Sequence, residues 1–450
     1  MNANLPTPVL KIIRTLTSAN FTCEIVGGAV RDLVLGIPTN DWDFTTNATP
    51  QQIMPLFPDS FYENTYGTVM IAQKHLNPDP SLLDPDLIYD ITTYRSDGTY
   101  RNHRQPETVT WGKTIEEDLQ RRDFTINAMA LRGSEIIDPY EGQKDLRNKV
   151  IRTVGNPQDR FEEDALRMLR AVRFSVQLGF EIEGETKKAI SAKASLLSEI
   201  SWERIGTETM KILGSPEPKR GILLLDELGL LPFILPELVE AKNVRQSGHH
   251  IYDVWDHSLN ALAACESSDP VVRLATLLHD IGKPVTAKET SSGTVTFYSH
   301  EVLGARTAKA IAKRLQLGSS DCNRIFTLVR WHMFTYDKDV TDAYIRRFIR
   351  RVGVEHINDM ITLRIADRVG SGSKRSSWRL EELQQRVYEQ LHQPLSLKDM
   401  AIDGHDVMEA MHIKPGPEIG KILSNLFEDV LENPEHNTRE YLLSQITASE

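Results

Sequence analysis

The chain has 450 residues, 40% of them hydrophobic and 26% charged, with a formal net charge of −11; such a length holds roughly two to four globular domains. No run of about 18 apolar residues is present to cross a membrane. The start, MNANLPTPVLKIIRTL, lacks a basic segment followed by an apolar one, so a cytoplasmic location is expected.

The acidic balance argues against nonspecific affinity for nucleic acid. It leaves room for a nucleic-acid enzyme with basic residues gathered on one face. Arg167/Arg170/Arg173 and Arg346/Arg347/Arg350/Arg351 recur at helical spacing, though solvated surface helices explain either set equally well. Cys23, Cys265 and Cys322 lie outside any metal-ligand spacing and read as reduced packing residues.

Over residues 1–154 the β-type runs FTCEIVGG, DWDFTT, TVMIAQK, LIYDITTYR and EIIDPY alternate with helical segments. This predicts an α+β head with a mixed sheet. Within it, HLNPDPSLLDPDL (75–87) reads as an exposed loop and YRSDGTYRNHRQP (94–106) as a mobile one. From about residue 155 onward the apolar spacing is helical. Breaks at LGSPEP (213–218), KETSSG (288–293), VGSGSKRSS (369–377) and HQPLS (392–396) mark turns or linkers. The expected organisation is a head (1–154), a helical neck (155–245), a third domain (246–385) and a helical tail (386–450).

The stretch EIVGGAVRDLVLGIPTNDWDF (24–44) carries the first chemistry. In a strand, Asp41 and Asp43 project together while Trp42 and Phe44 point inward. Two neighbouring carboxylates suit Mg²⁺, which takes one or two carboxylates plus substrate phosphates. Gly27-Gly28, between a β-run and a helix start, lets backbone N–H groups approach a phosphate. Taken singly, the glycines make a tight turn and Asp-x-Asp a solvated strand face. Their adjacency points instead to a nucleoside triphosphate with metal, set for displacement at phosphorus.

GGAVRDLVLG…DWDF resembles the signature of the nucleotidyltransferase superfamily, and more narrowly the class II tRNA nucleotidyltransferase and bacterial poly(A) polymerase family. RRDFTINAMA (121–130), DPYEGQKDLRNKVIRTVGNPQDRFEEDALRMLRAVRF (138–174) and PGPEIGKIL (415–423) extend the resemblance in order through nearly the whole chain. It implies template-independent addition of C and A to tRNA 3′ ends from CTP and ATP, with pyrophosphate released. In that reading Asp41 and Asp43 hold Mg²⁺, and Gly27, Gly28, Arg31 and Arg122 face the triphosphate. The family's use of RRDFTINAMA for triphosphate and sugar also brings in Asp123 and Asn127. Asp123 then accepts from a ribose hydroxyl, or else acts as an N-cap. Asp90 falls on a strand where related enzymes can carry a third carboxylate.

Asp164 and Arg167, three apart on a helix, would be surface neighbours. An acceptor beside a forked donor matches the amino group and ring nitrogen shared by cytosine and adenine; uracil and guanine present the opposite order. The resemblance implies this base-selecting role, and an ordinary i,i+3 ion pair is the alternative. Family enzymes that add the terminal A keep a flexible loop at 94–106, so its length argues against a CC-only activity.

DVWDHSL, LATLLHDIGKP and RIADRVG place His257, His279-Asp280 and Asp367 in an order that resembles the metal-binding set of HD-domain phosphohydrolases. A divalent metal is the implied ligand, and hydrolysis of phosphomonoesters or 2′,3′-cyclic phosphates the implied chemistry. His300 and His332 can extend the site to a second metal. The alternative is a helical domain that mainly shapes an RNA-binding body. Poly(A) synthesis, or a phosphohydrolase whose head only binds RNA, are the competing functions. Expected partners are tRNA, CTP and ATP, with neither DNA nor membrane.

Overall fold

The computed structural model describes residues 5–63, 67–76, 87–97, 100–101, 105–106, 109–246, 252–334, 336–337 and 339–447. They fall into two compact units, Met1–Ile234 and Leu235–Glu450. No helix among the described residues is long and apolar enough to cross a membrane.

The described strands of the first unit are β1 (Glu24–Val26), β2 (Asp43–Thr46), β3 (Phe61–Glu63), β4 (Thr68–Ala72), β5 (Ile88–Thr93), β6 (Arg95–Asp97), β7 (Tyr100–Arg101), β8 (Gln105–Pro106), β9 (Val109–Trp111), β10 (Ala130–Arg132), β11 (Glu135–Ile137), β12 (Val150–Ile151) and β13 (Glu181–Ile182). Seven of them form one mixed sheet in the order β11-β10-β1-β2-β5-β4-β3. The β2–β5 pair is parallel and the rest antiparallel. Alternation drives this pairing: Phe44, Val69, Ile71, Tyr89 and Ile91 turn into the core, and their neighbours along each strand stand on the opposite face. Strand β2 lies centrally, with Asp43 opposite Val26 on one side and Asp90 on the other.

One expectation for the head changes and another stays open. The segment expected as a mobile loop at 94–106 contains paired backbone: β6 pairs with β9 and β7 with β8, both antiparallel. Most of the Pro/Asp-rich insert (77–86) lies outside the described residues.

Beyond the sheet, Asn156 caps the helix Pro157–Glu163 by accepting from the N–H of Gln158. The helix Leu166–Leu178 follows and packs against the helix Trp202–Leu213. Between the first two, Asp164 is extended (φ −148°, ψ 103°), so Asp164 and Arg167 do not share one continuous helix as expected.

In the second unit the helices Val254–Ala264, Pro270–Leu278, His300–Arg314, Ser319–Trp331 and Ile357–Gly370 pack together. Further on, the helix Asp342–Val352 meets the helix Pro417–Glu432. Here one member of the arginine set read as a possible RNA face is turned inward, and Arg350 and Arg351 stay exposed. Arg346 is 4% exposed and donates to the carbonyls of Leu431 and Glu432 and to Gln390. Arg347 and Arg350 pair with Glu428, and Arg347 also with Glu432. Helical spacing reveals a shared face but not what covers it.

Candidate active site

One cleft of about 480 Å³ in the first unit is lined by Asp41, Asp43, Gly27, Gly28, Arg31, Arg122, Asp123, Asn127, Asp164 and Arg167. The sheet supplies the carboxylates. Asp43 opens β2, while Asp41 is exposed and lies before the strand, not within it. Trp42 (5% exposed) and Phe44 (1%) anchor the chain beneath, so the two carboxylates stay on the open side. Burial raises the Asp43 carboxyl to about 6, with Asp41 and Asp90 adding to the rise and Arg122 opposing it.

At the end of β1, Gly27 has φ +71° and ψ −134°, a conformation that L side chains rarely adopt. A Cβ there would lie 3.0 Å from Arg122 Nη1 and 3.6 Å from Asp43 Oδ2. The turn therefore brings bare backbone against both the cation and the carboxylate. The helix Gly28–Leu35 starts at this point, and its first residue lines the cleft.

A relay of short contacts fixes the other polar groups. Arg31 donates through Nε to Asp32 (2.9 Å) and through Nη1 to Asn127 Oδ1 (2.8 Å). Asn127 donates to Asp123 Oδ1 (3.2 Å), and Arg170 Nε to Asp123 Oδ2 (2.7 Å). Burial alone would raise the Asp123 carboxyl, but Arg170, the Asn127 hydrogen bond and Arg167 hold it down at about 2. Its Oδ1 also accepts from the N–H of Phe124. The fully buried Asp118 clamps two more cations: Arg121 Nη2 at 2.7 Å and Arg122 Nη2 at 3.1 Å.

Asp164 and Arg167 face the same cleft but do not pair as i,i+3 neighbours. Asp164 Oδ1 accepts from the N–H of Leu166 (3.1 Å), and Oδ2 from Arg204 Nη2 (2.7 Å). Arg167 donates to Glu163 (2.5 Å) and to the carbonyls of Arg160 and Arg121. Each is oriented by its own partners. Sequence reasoning missed Arg204 and Lys211, which also line the cleft. They lie about two turns apart on the helix Trp202–Leu213, a spacing legible in WERIGTETMK only once that helix is known to face the site. Arg170 and Arg173, seen in the sequence as an undirected basic set, line it too. Eight cationic side chains and four carboxylates thus surround the opening, which suits a polyanion accompanied by a divalent cation.

The second unit holds a separate cluster. His257 Nε2 lies 3.0 Å from His279 Nε2, 3.3 Å from Asp280 Oδ2 and 3.2 Å from Asp367 Oδ1. His279 Nε2 is 3.3 and 3.6 Å from the same two carboxylates. Gly282 makes the convergence possible, since a Cβ there would meet the carbonyl of His300 at 2.2 Å. The chain after His279-Asp280 therefore passes directly against the start of the helix His300–Arg314. Burial lowers the basicity of both His257 and His279, but Asp280 and Asp367 outweigh it and carry His279 to about 10. Burial also opposes ionisation of the two carboxyls, yet the imidazoles and Lys283 hold Asp280 well below its usual range, and Asp367 likewise follows its histidines. In His332 burial prevails and lowers the pKa.

Both donor sets fit divalent cations. In the cleft the donors are carboxylate oxygens, which suit a hard ion such as Mg²⁺. In the second cluster, buried imidazoles and carboxylates converge, and the Nδ1 atoms of His279, His300 and His332 each sit 2.7–2.8 Å from a backbone carbonyl. That contact leaves Nε2 as the ligand atom. A cavity of about 580 Å³ opens beside it.

Three family models match the chain: "Poly A polymerase head domain" over residues 23–152, "Probable RNA and SrmB- binding site of polymerase A" over 179–242 and "HD domain" over 249–371. The chain is 37% identical over 419 residues to the A-adding tRNA nucleotidyltransferase of Deinococcus radiodurans, covering 90% of each. It is 31% identical over 435 residues to the CCA-adding enzyme of Anoxybacillus flavithermus, covering 96% of this chain and 94% of that one. Its fold is similar to the crystal structure of the Bacillus stearothermophilus CCA-adding enzyme in complex with CTP, with a TM-score of 0.70, 28% identity, and coverage of 99% and 98%. The chain belongs to the tRNA nucleotidyltransferase family that includes the CCA-adding and A-adding enzymes.

Proposed function

We propose that the chain extends tRNA 3′ ends with C and A, using CTP and ATP, releasing pyrophosphate and needing no nucleic-acid template. The observation that carries this reading is the single cleft, with Asp41 and Asp43 on its sheet wall and Asp164 and Arg167 on its helical wall. Asp41 and Asp43 would hold Mg²⁺, which supplies charge neutralisation at the triphosphate and activates the 3′-hydroxyl. The turn at Gly27 and Gly28 receives phosphate oxygens through backbone N–H groups. Arg31 and Arg122 face the triphosphate from fixed positions. Asp123 and Asn127 lie where the sugar enters.

Asp164 offers an acceptor and Arg167 a donor to the base edge. Held by Arg204 and by Glu163 respectively, the pair cannot readily adjust to uracil or guanine, so a wrong base leaves buried polar groups unmatched. Relatives named for CCA and A addition match nearly the full length, which favours tRNA over poly(A) synthesis. The substrate puts the work in the cytoplasm.

The segments 1–154, 155–245, 246–385 and 386–450 serve in this reading as catalytic head, RNA-binding neck, HD domain and tail. The HD domain is a second, metal-dependent phosphohydrolase centre, a reading supported by the convergence of His257, His279, Asp280 and Asp367.

Purified protein with Mg²⁺ and two labelled tRNAs, one lacking CCA and one ending in CC, tests the main reading at single-nucleotide resolution. Three residues added to the first and one to the second identify CCA addition. Extension of the CC-ended tRNA alone identifies A addition. A long A ladder replaces the reading with poly(A) synthesis, and no extension with a binding-only head.

A further inference from the structure

We propose that a further pocket of the second unit, lined by none of the histidines or aspartates of the HD cluster, binds a nucleoside monophosphate. Its volume is about 380 Å³, near the lower limit of the roughly 300–1,000 Å³ of small-molecule sites. Two helices and one connecting segment build it. The helix Ile357–Gly370 supplies Arg364 and Arg368, one turn apart on the same face. Arg379 and Leu383 come from the helix Trp378–Gln390, and Phe334 and Tyr336 from the segment between the helices Ser319–Trp331 and Asp342–Val352.

The lining has an apolar part and a cationic part. Phe334, Tyr336 and Leu383 are 8%, 8% and 3% exposed, so each is packed from behind. The Tyr336 hydroxyl accepts from Arg386 Nη1 at 3.0 Å, and the Phe334 ring centre lies 4.6 Å from that of Phe348. The aromatic wall is therefore preformed. The charged groups of the lining are three guanidiniums and one carboxylate, that of Asp337. Arg364 donates to Asp367 Oδ2 (2.6 Å), Arg368 only to the carbonyl of Lys374 (3.0 Å), and Arg379 lies over the Trp378 ring. Among the described residues no carboxylate pairs with Arg368 or Arg379. In a chain of net charge −11, acids are plentiful, so two such cations at one opening are the exception.

A solvated helix face accounts for the arginines but not for the aromatic wall beside them. A phosphomonoester carries a charge of about −1.5 to −2 near neutral pH, which matches three guanidiniums less one carboxylate. The guanidinium fork suits two phosphate oxygens, and a planar base gives the aromatic wall a flat partner. A bare phosphate would leave that wall unused, and an apolar ligand would leave the cations unmatched. Arg364 and Arg368 also line the cavity beside the HD cluster, whereas Arg379 and Val340 line this pocket alone. The latter two are the informative positions.

Equilibrium dialysis of labelled AMP against the full-length chain tests the site, with EDTA present to prevent hydrolysis at the HD cluster. One AMP per chain is expected. Arg379→Glu should weaken binding at least about tenfold, and Val340→Trp, which fills the space, should abolish it. Lys283→Ala, in the neighbouring cavity, should leave binding unchanged. Inorganic phosphate should displace AMP only at about tenfold higher concentration or more, the scale of one stacked base. Melting curves identify a variant that fails to fold; Arg379 is exposed, so its substitution decides if Val340→Trp does not fold. No bound AMP, or binding unchanged in folded Arg379→Glu, overturns the site. Loss in Lys283→Ala with none in Arg379→Glu also overturns it, by moving AMP to the cavity beside the HD cluster. Phosphate competing as well as AMP itself overturns the nucleoside part of the ligand.

Discussion

Asp43 and Asp90 stand opposite each other on the parallel strands β2 and β5, two carboxylates in register at the middle of the sheet. Burial, then Asp41 and Asp90, raise the Asp43 carboxyl to about 6 against its ordinary 3.8, with Arg122 opposing them. A proton on Asp43 excludes a divalent cation from that oxygen. Below about pH 6 the Mg²⁺ concentration giving half-maximal incorporation should therefore rise roughly tenfold per pH unit, and above it stay flat. The stability of the metal-free chain runs the other way: the raised carboxyl contributes fully below pH 3.8 and loses that contribution as pH rises through about 6. Mg²⁺ titrations of incorporation from pH 5 to 8 check the break. Asp90→Asn should move it downward; a break unchanged in that variant would show that Asp90 does not act on Asp43.

Asp118 has no access to the cleft, yet it orders two arginines that do. Asp118→Asn removes the charge that holds Arg121 and Arg122, leaving both partners unmatched; breaking a buried pair costs about 3–5 kcal/mol. The expected result is a melting temperature lowered by several degrees and a KM for nucleotide raised roughly tenfold, with kcat less affected. Equal falls in kcat and kcat/KM with unchanged KM would assign Asp118 to the transition state instead.

Arg204 touches the proposed base reader and is predicted to guard its fidelity. Arg204→Gln frees Asp164 Oδ2 and allows the carboxylate to turn. UTP and GTP misincorporation should rise about tenfold, on the scale of one hydrogen-bonded contact, while the first correct addition changes little. Single-turnover incorporation with each of the four nucleotides measures this. A uniform loss across all four would reassign Arg204 to general binding.

Arg346 and Arg350 share a helix but not a burden. Arg346→Met strands two carbonyls and Gln390 in a buried position and should destabilise the second unit by ~2–4 kcal/mol. Arg350→Ala removes an exposed pair with Glu428 and should cost under about 1 kcal/mol. Chemical denaturation of the three proteins checks the contrast. Similar losses in both variants would mean that burial does not separate them.

What could be read in the sequence follows from how local each signal is. Asp43 and Gly27 are set by one strand and one turn, and Asp41 lies just before that strand, so a short stretch holds all three. His257 and Asp367 sit on separate helices and His279-Asp280 in the turn after a third, so only the order of the motifs made them legible. Asp164 and Arg167 were expected on one helix because EEDALR contains neither Gly nor Pro, and apolar spacing runs straight through the break at Asp164. Nothing in the sequence sets Asp118 apart, since its function depends on which side of the helix Ile115–Gln120 the core covers. Arg204 and Gln390 meet their partners only through tertiary packing, for which periodicity carries no address.

The crowd of arginines around the cleft has a cost at the end of each reaction. Pyrophosphate keeps most of the charge that the triphosphate brought in, and the side chains that Asp118, Asp123 and Glu163 hold in place do not slacken when the bond at phosphorus breaks. A rigid grip of this kind should slow release of the leaving group, so a burst of the first addition followed by a slower steady state is the expected kinetic pattern.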